Sequence, residues 1–191
     1  MTEPLLYVDP AVDTAVVRAL AHPLRLALLS SLRSDGPATA TGLAEALGES
    51  SGLTSYHLRV LGEHGLVVDD LALGNGRERW WRAAHRATVF TSSASGPDRD
   101  PEGVGADYFR TVAAAYSARL VAFAREPASG DGWEQVSDLS DWPLRLPLHR
   151  VVELRDRIHA LLEAARTSEP EVDAQFVDVL VAVMPRRPSR P

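Results

Sequence analysis

Apolar positions recur at three-to-four-residue spacing along most of the chain, and the period shortens to two in one central stretch. Residues 11–20 place Val12, Ala15, Val16, Ala19 and Leu20 on one side of a helix. Pro23 then sits near a helix start, where its missing N–H costs nothing. Leu24, Leu28, Leu29 and Leu32 continue that helix as a stripe, and Ser34-Asp35-Gly36-Pro37 ends it. A short helix over residues 41–47 buries Leu43, Ala44 and Leu47, with Thr41 as its N-cap and Gly48 closing its C-terminus. Another begins at once, capped by Ser50 or Ser51, and runs to about Gly62. Its inner stripe is Thr54, His57, Leu58 and Leu61; its outer face is Ser51, Gly52, Ser55, Tyr56 and Arg59. Gly65 stops it. Residues 66–73 and 77–83 flank Gly74-Asn75-Gly76, a hairpin signal because Gly and Asn tolerate positive φ. Helix, tight turn, helix and hairpin in that order make a helix-turn-helix followed by a wing.

Residues 91–105 are a linker by composition, rich in Ser, Gly, Pro and Asp. A long helix is predicted over 106–125, with Phe109, Val112, Tyr116, Leu120 and Phe123 at three-to-four spacing and Ala113-Ala114-Ala115 beside them. A short strand is predicted near 142–146, a helix over 147–166, a strand over 174–184, and a frayed Pro- and Arg-rich tail. The fold class is therefore mainly α with small β: a winged helix-turn-helix domain (1–90), the linker (91–105), and a C-terminal α/β extension (106–191) that carries a long dimerisation helix and a candidate effector-binding region. No internal repeat is visible.

Composition narrows the chemistry. Apolar residues make up 45% of the 191 positions, enough for a real core, and no apolar run approaches the ~20 residues that span a bilayer. The N-terminus lacks a basic stretch followed by an apolar one, so a cytoplasmic protein without membrane association is expected. Cysteine is absent, which removes disulfides, thiolate metal sites and cysteine nucleophiles together. All 20 basic residues are arginine, a pattern that suits phosphate recognition and that GC-rich codon usage also produces. The net charge of −6 is unevenly spread: residues 18–90 carry eight arginines against seven acids and are the least acidic third.

The helix face Ser51, Gly52, Ser55, Tyr56 and Arg59 has the groups that reach base edges and phosphates when a helix enters the major groove. Small residues at its start, Ser50 included, allow close approach. Residues 77–86 hold four arginines (Arg77, Arg79, Arg82, Arg86) against Glu78, the most positive stretch of the chain, and a wing so charged tracks the DNA backbone. Trp80 and Trp81 point to opposite faces of a strand, so at least one packs on the helices.

Ala21-His22-Pro23-Leu24-Arg25-Leu26, Gly42-Leu43-Ala44-Glu45-Ala46-Leu47-Gly48, Thr54-Ser55-Tyr56-His57-Leu58-Arg59-Val60-Leu61 and Glu63-His64-Gly65-Leu66-Val67, followed by Trp80-Trp81, together resemble the ArsR-like winged helix-turn-helix transcriptional regulators. The likeness covers residues 13–90. It implies a homodimeric repressor of transcription that binds a double-stranded DNA operator through Ser50, Ser51, Gly52, Ser55, Tyr56, Arg59, Arg77 and Arg79. Phe109, Val112, Tyr116, Leu120 and Phe123 are the expected dimer contacts. Members of that family sense metals through cysteine clusters or through Asp and His on the dimerisation helix. Here helix 106–125 has Asp107 but no His, so neither a metal nor a cofactor is expected. His149 with Glu153 and His159 with Glu163 stand one turn apart, two ligands each where zinc takes three or four. A small organic effector is expected instead, in an apolar pocket lined by some of Tyr108, Trp133, Trp142 and Phe176. Gly-x-Ser-x-Gly is absent and Gly74-Asn75-Gly76 is too short for a phosphate loop, so no enzyme and no catalytic residue is expected. The alternative reading is a winged-helix module that binds another protein and never DNA; the acidic balance speaks for it and the wing arginines against it.

Overall fold

A computed structural model describes residues 5–8, 13–73, 78–90, 102–126, 132–167 and 174–185. The chain forms two compact units, 1–125 and 126–191. In the first, α1 (Thr14–Leu20) and α2 (Pro23–Ser34) meet at 86°. His22 makes the corner with an extended backbone, and Pro23 opens α2 where no N–H is needed. No single described helix is long and apolar enough to cross a membrane. After β2 (Ala38–Thr39), α3 (Ala40–Leu47) begins one residue earlier than its sequence suggests. Its cap is Thr39, whose hydroxyl accepts from the Gly42 N–H at 3.1 Å, and Thr41 lies inside the first turn. Both threonines precede the same apolar stripe, so spacing alone does not choose between them. Gly48 ends α3 at φ 68, a left-handed conformation that glycine takes without strain. Ser50 caps α4 (Ser51–Glu63), accepting from the Leu53 N–H at 3.3 Å.

The wing follows as β3 (Val67–Asp69) and β4 (Trp80–Ala83), antiparallel, with β4 between β3 and β2. Val67 pairs with Ala83 and Asp69 with Trp81. The Gly74-Asn75-Gly76 turn and Arg77 lie outside the described residues. Of the two tryptophans, Trp81 is the buried one, and it packs over Gly62. A Cβ at Gly62 would stand 3.2 Å from its ring, so glycine there lets α4 lie close on the sheet. The core joins Val17, Leu20, Leu28, Leu29, Leu32, Leu58, Leu61, Leu66 and Trp81.

Two features depart from the sequence reading. The first is a parallel pair, β1 (Leu5–Val8) with β5 (Ala87–Phe90), in which Val8 lies opposite Phe90. Four-residue strands this far apart in sequence carry no local signal. The second is the domain boundary. The long helix α5 (Val104–Arg125) starts two residues earlier than expected and belongs to the first unit, whereas the division after residue 90 had assigned it to the C-terminal region. Val104 and Tyr108 enter the first unit's core, Val112 packs against it, and the Arg119 guanidinium donates to the Ser30 hydroxyl. Residues 91–101 of the expected linker lie outside the described residues.

The second unit carries α6 (Trp133–Val136) and α7 (Leu148–Thr167). The strands expected near 142–146 and over 174–184 are not formed: neither stretch has a ladder partner among the described residues. Alternation makes a segment suited to a sheet, but a strand exists only when another segment takes its N–H and C=O groups. The overall class, mainly α with small β around a winged helix-turn-helix, stands; the described extension is helical, without a strand.

Candidate nucleic-acid interface

Helix α4 is held from one side. Thr54, His57, Leu58 and Leu61 are buried against α1, α2 and α3, which turns Ser51, Gly52, Tyr56 and Arg59 outward. Ser55 is half-buried at the edge of that face and Tyr56 is 54% exposed. The Arg59 Nε donates to the Ser55 carbonyl at 3.2 Å, which leans the guanidinium back along the helix and leaves its terminal amino groups outward, with no carboxylate partner among the described residues. A helix surface of hydroxyls, one phenol and one guanidinium, small at its N-terminal end, can lie in a major groove and donate to base edges or phosphates.

In the wing, Arg79 is exposed but engaged: its Nε stands 2.8 Å from Asp69 Oδ2 and its guanidinium 4.0 Å above the Trp81 ring. Arg82 reaches toward Asp70 at 3.9 Å. Asp69 and Asp70 thus offset part of the charge that the arginine run suggested.

One cluster was not singled out as functional, although its residues carried the family resemblance. Arg25 donates to the main-chain carbonyls of Arg18 (3.0 Å) and Ala19, closing the C-terminal end of α1, and its Nη1 lies 3.4 Å from His57 Nδ1. A guanidinium only donates, so a hydrogen bond between them requires the His57 tautomer with Nδ1 unprotonated. The His22 and His57 rings pack at 4.4 Å, and the Tyr56 ring meets His57 edge-on at 5.1 Å. The buried His57, 5% exposed, therefore ties the recognition helix to the α1–α2 corner. A shallow apolar groove of about 530 Å³ opens beside it, lined by His22, Leu24, Leu47, Glu49 and Leu53 among others.

Both imidazoles titrate below the ordinary 6.5. Burial is the main cause for each; Arg25 adds to it at His22, and His22 and Arg25 add to it at His57, with Glu49 opposing. Below about pH 6.5 the unfolded chain takes up protons that the folded rings resist, so stability is full above that pH and is lost as pH falls toward the lowered values. The thermal midpoint is expected to drop between about pH 7.5 and 5.5, and the drop is expected to shrink in His57→Asn. An equal drop in the variant would place the titration elsewhere.

The expected dimer contacts divide. Val112 faces its own core and Tyr116 is half-buried, while Phe109, Leu120 and Phe123 of the same stripe stand partly exposed, Phe109 with its ring edge-on to Phe90 at 4.8 Å. The aromatic residues expected around an effector also differ in setting. Tyr108 is buried in the first unit, its ring stacked 4.4 Å from Phe90 and its phenol pushed up to about 12 by burial. In the second unit Trp133 is half-buried, and Trp142 and Phe176 are 78% and 82% exposed. Among the described residues, no three His, Asp or Glu side chains stand together as a metal site.

Comparison with known proteins agrees with the geometry of the first unit. Residues 20–69 match a helix-turn-helix domain family. Over 58 residues the chain is 48% identical to the HTH-type transcriptional regulator NmtR of Mycobacterium tuberculosis (strain ATCC 25618 / H37Rv), an overlap covering 30% of this chain and 48% of that protein. The chain thus spans about half the length of the relative it matches. The order α2-β2-α3-α4-β3-β4, the exposed face of α4 and the domain match identify the first unit as carrying a winged helix-turn-helix domain.

Proposed function

We propose that the chain is a DNA-binding regulator of transcription, a homodimeric repressor that releases its operator on binding a small non-metal effector. The observation that carries this reading is α4: its inner face is fixed in the core while Ser51, Gly52, Tyr56 and Arg59 face outward, in a stretch that matches a helix-turn-helix domain, and the chain is similar over 58 residues to a transcriptional regulator. One α4 from each subunit enters a major groove, and pseudo-palindromic half-sites about one helical turn apart mirror the two-fold axis. Ser50 serves through its cap, Ser55 at the edge of the face, and Arg77 and Arg79 along the backbone. The exposed side of α5 joins the subunits through Phe109, Leu120 and Phe123, with Tyr116 at its margin and Val112 supporting it from the core. Trp133, Trp142 and Phe176 are assigned to effector contact in the second unit.

Selection of bound sequences from random duplex DNA tests this reading, because enrichment of a two-fold-related motif reports binding and names the operator together. A second reading, a protein-binding winged helix, is favoured by Asp69 and Asp70 standing against Arg79 and Arg82. It predicts no enrichment above the starting pool. Operator binding is also expected to be independent of metal: chelator treatment leaves affinity unchanged, and micromolar zinc or nickel does not release the DNA. A stoichiometric metal lost on mutating His149 or His159 would overturn that.

A further inference from the structure

Among the described residues every buried side chain lies at or before Tyr108, so the described part of the second unit has no core. Its helix α7 nevertheless carries a regular apolar seam. Val151, Leu154, Ile158, Leu161 and Ala165 follow one another at alternating spacings of three and four, the repeat that keeps one stripe facing a partner helix. On the seam Leu161 is 71% exposed and Leu154 and Ala165 also face solvent, while Val151 and Ile158 are half-buried. Apolar side chains in such a row gain by leaving water, and the identity of the seam residues points to what covers them. In the two complete repeats Val151 and Ile158 occupy the first position and Leu154 and Leu161 the second, the combination that favours two parallel strands over higher assemblies; Ala165 opens the third.

We propose that α7 pairs with α7 of a second copy, parallel and in register, as a self-association element separate from α5. The seam is short: 20 residues span about 30 Å, fewer than three heptads, and a pair that short is weak alone. The proposal therefore rests on the homodimer proposed above. The second unit begins at Glu126, directly after α5 ends at Arg125, so copies joined through α5 hold their second units on a common tether. Tethering of this kind gives effective concentrations on the order of 1 mM. Arg150 and Arg155 flank the seam and meet like charge across a parallel pair. Each has a carboxylate of its own helix, Glu153 at 2.8 Å and Asp156 at 2.6 Å, which offsets that repulsion.

The absence of cysteine makes the test clean, since each single-cysteine variant carries one thiol. Val151→Cys and Leu161→Cys place it on the seam; Ala160→Cys places it off the seam at an exposed position of the same helix. Each full-length variant is sedimented and then oxidised at about 10 µM. Against that concentration, a tether near 1 mM favours paired thiols by roughly 100-fold. Rapid covalent dimer from both seam variants, with little from Ala160→Cys, is the expected result. Equal crosslinking at all three positions would mean unspecific encounter and overturn the pairing. A non-covalent dimer that crosslinks at neither seam position would overturn it while leaving the α5 dimer intact. A monomer in sedimentation would overturn both.

Discussion

Placing arginine at Leu120 is expected to turn the proposed dimer into folded monomers and to lower operator affinity at least ~100-fold. Leu120 stands on the exposed side of α5, 39% open to solvent, so a guanidinium there meets water in the monomer and leaves the first unit's core untouched. In the dimer it meets the apolar face of a second copy. An unpaired charge buried at such a contact costs about 3–5 kcal/mol, and two-fold symmetry repeats the substitution on the other subunit. About 3 kcal/mol is already two orders of magnitude in association. Operator affinity follows the dimer because one winged domain makes half the contacts. Val112→Arg is the instructive contrast. Val112 packs on the core of its own unit, so arginine there is expected to lower the thermal midpoint as well. Sedimentation with circular dichroism separates the two: a Leu120→Arg protein that remains dimeric and still binds its operator places the interface elsewhere.

That contrast shows where the sequence was informative. The stripe of α5 was legible as five apolar residues on one side of a helix, but the same stripe serves two neighbours. Val112 is taken by the helix's own unit, Phe109 is shared, with its ring edge-on to Phe90 at 4.8 Å yet partly exposed, and Leu120 is left for another. Periodicity reports that a face avoids water and does not report which surface covers it. The helix-turn-helix was legible for the opposite reason. Gly48 at positive φ, the Ser50 cap and the Thr54-His57-Leu58-Leu61 stripe each fix a local geometry, and they agree with one another.

The parts that escaped depend on distant pairing. Leu5–Val8 becomes a strand only because Ala87–Phe90 lies beside it, and the valine-rich residues 174–184 form no strand because no described segment supplies a ladder. Arg25 and His22 were visible in the sequence as part of a resemblance. Their work, closing the end of α1 and bracing His57, needed the fold to bring residues 18–25 against residue 57. The charge of the wing was misjudged in a similar way. Four arginines in ten residues read as a positive arm, but register sets Asp69 opposite Trp81, one residue from where Arg82 and Val68 pair, and within reach of Arg79.

Operator affinity is expected to fall by about 10³-fold or more between 50 and 200 mM salt, as for a dimer making ~6–10 phosphate contacts, because each contact releases a counterion that added salt opposes. The two arginines are expected to divide this dependence. Arg59 projects from the middle of α4 with no carboxylate partner among the described residues, so Arg59→Ala is expected to cost roughly 1–3 kcal/mol and to relax preference at one base position. Arg79 lies in the wing, which is proposed to follow the backbone, so Arg79→Ala is expected to weaken all sequences alike and to shallow the salt slope by about one. Its pairing with Asp69 adds a further consequence. Removing Arg79 leaves the Asp69 carboxylate facing the phosphates, whereas Asp69→Asn removes that competitor and is expected to tighten binding to any sequence. Binding titrations of the three variants across a salt series, each on the operator and on a scrambled duplex, check the division. If Arg59→Ala lowers both duplexes equally and shallows the slope as Arg79→Ala does, α4 positions the protein on the backbone and the bases are read by other groups.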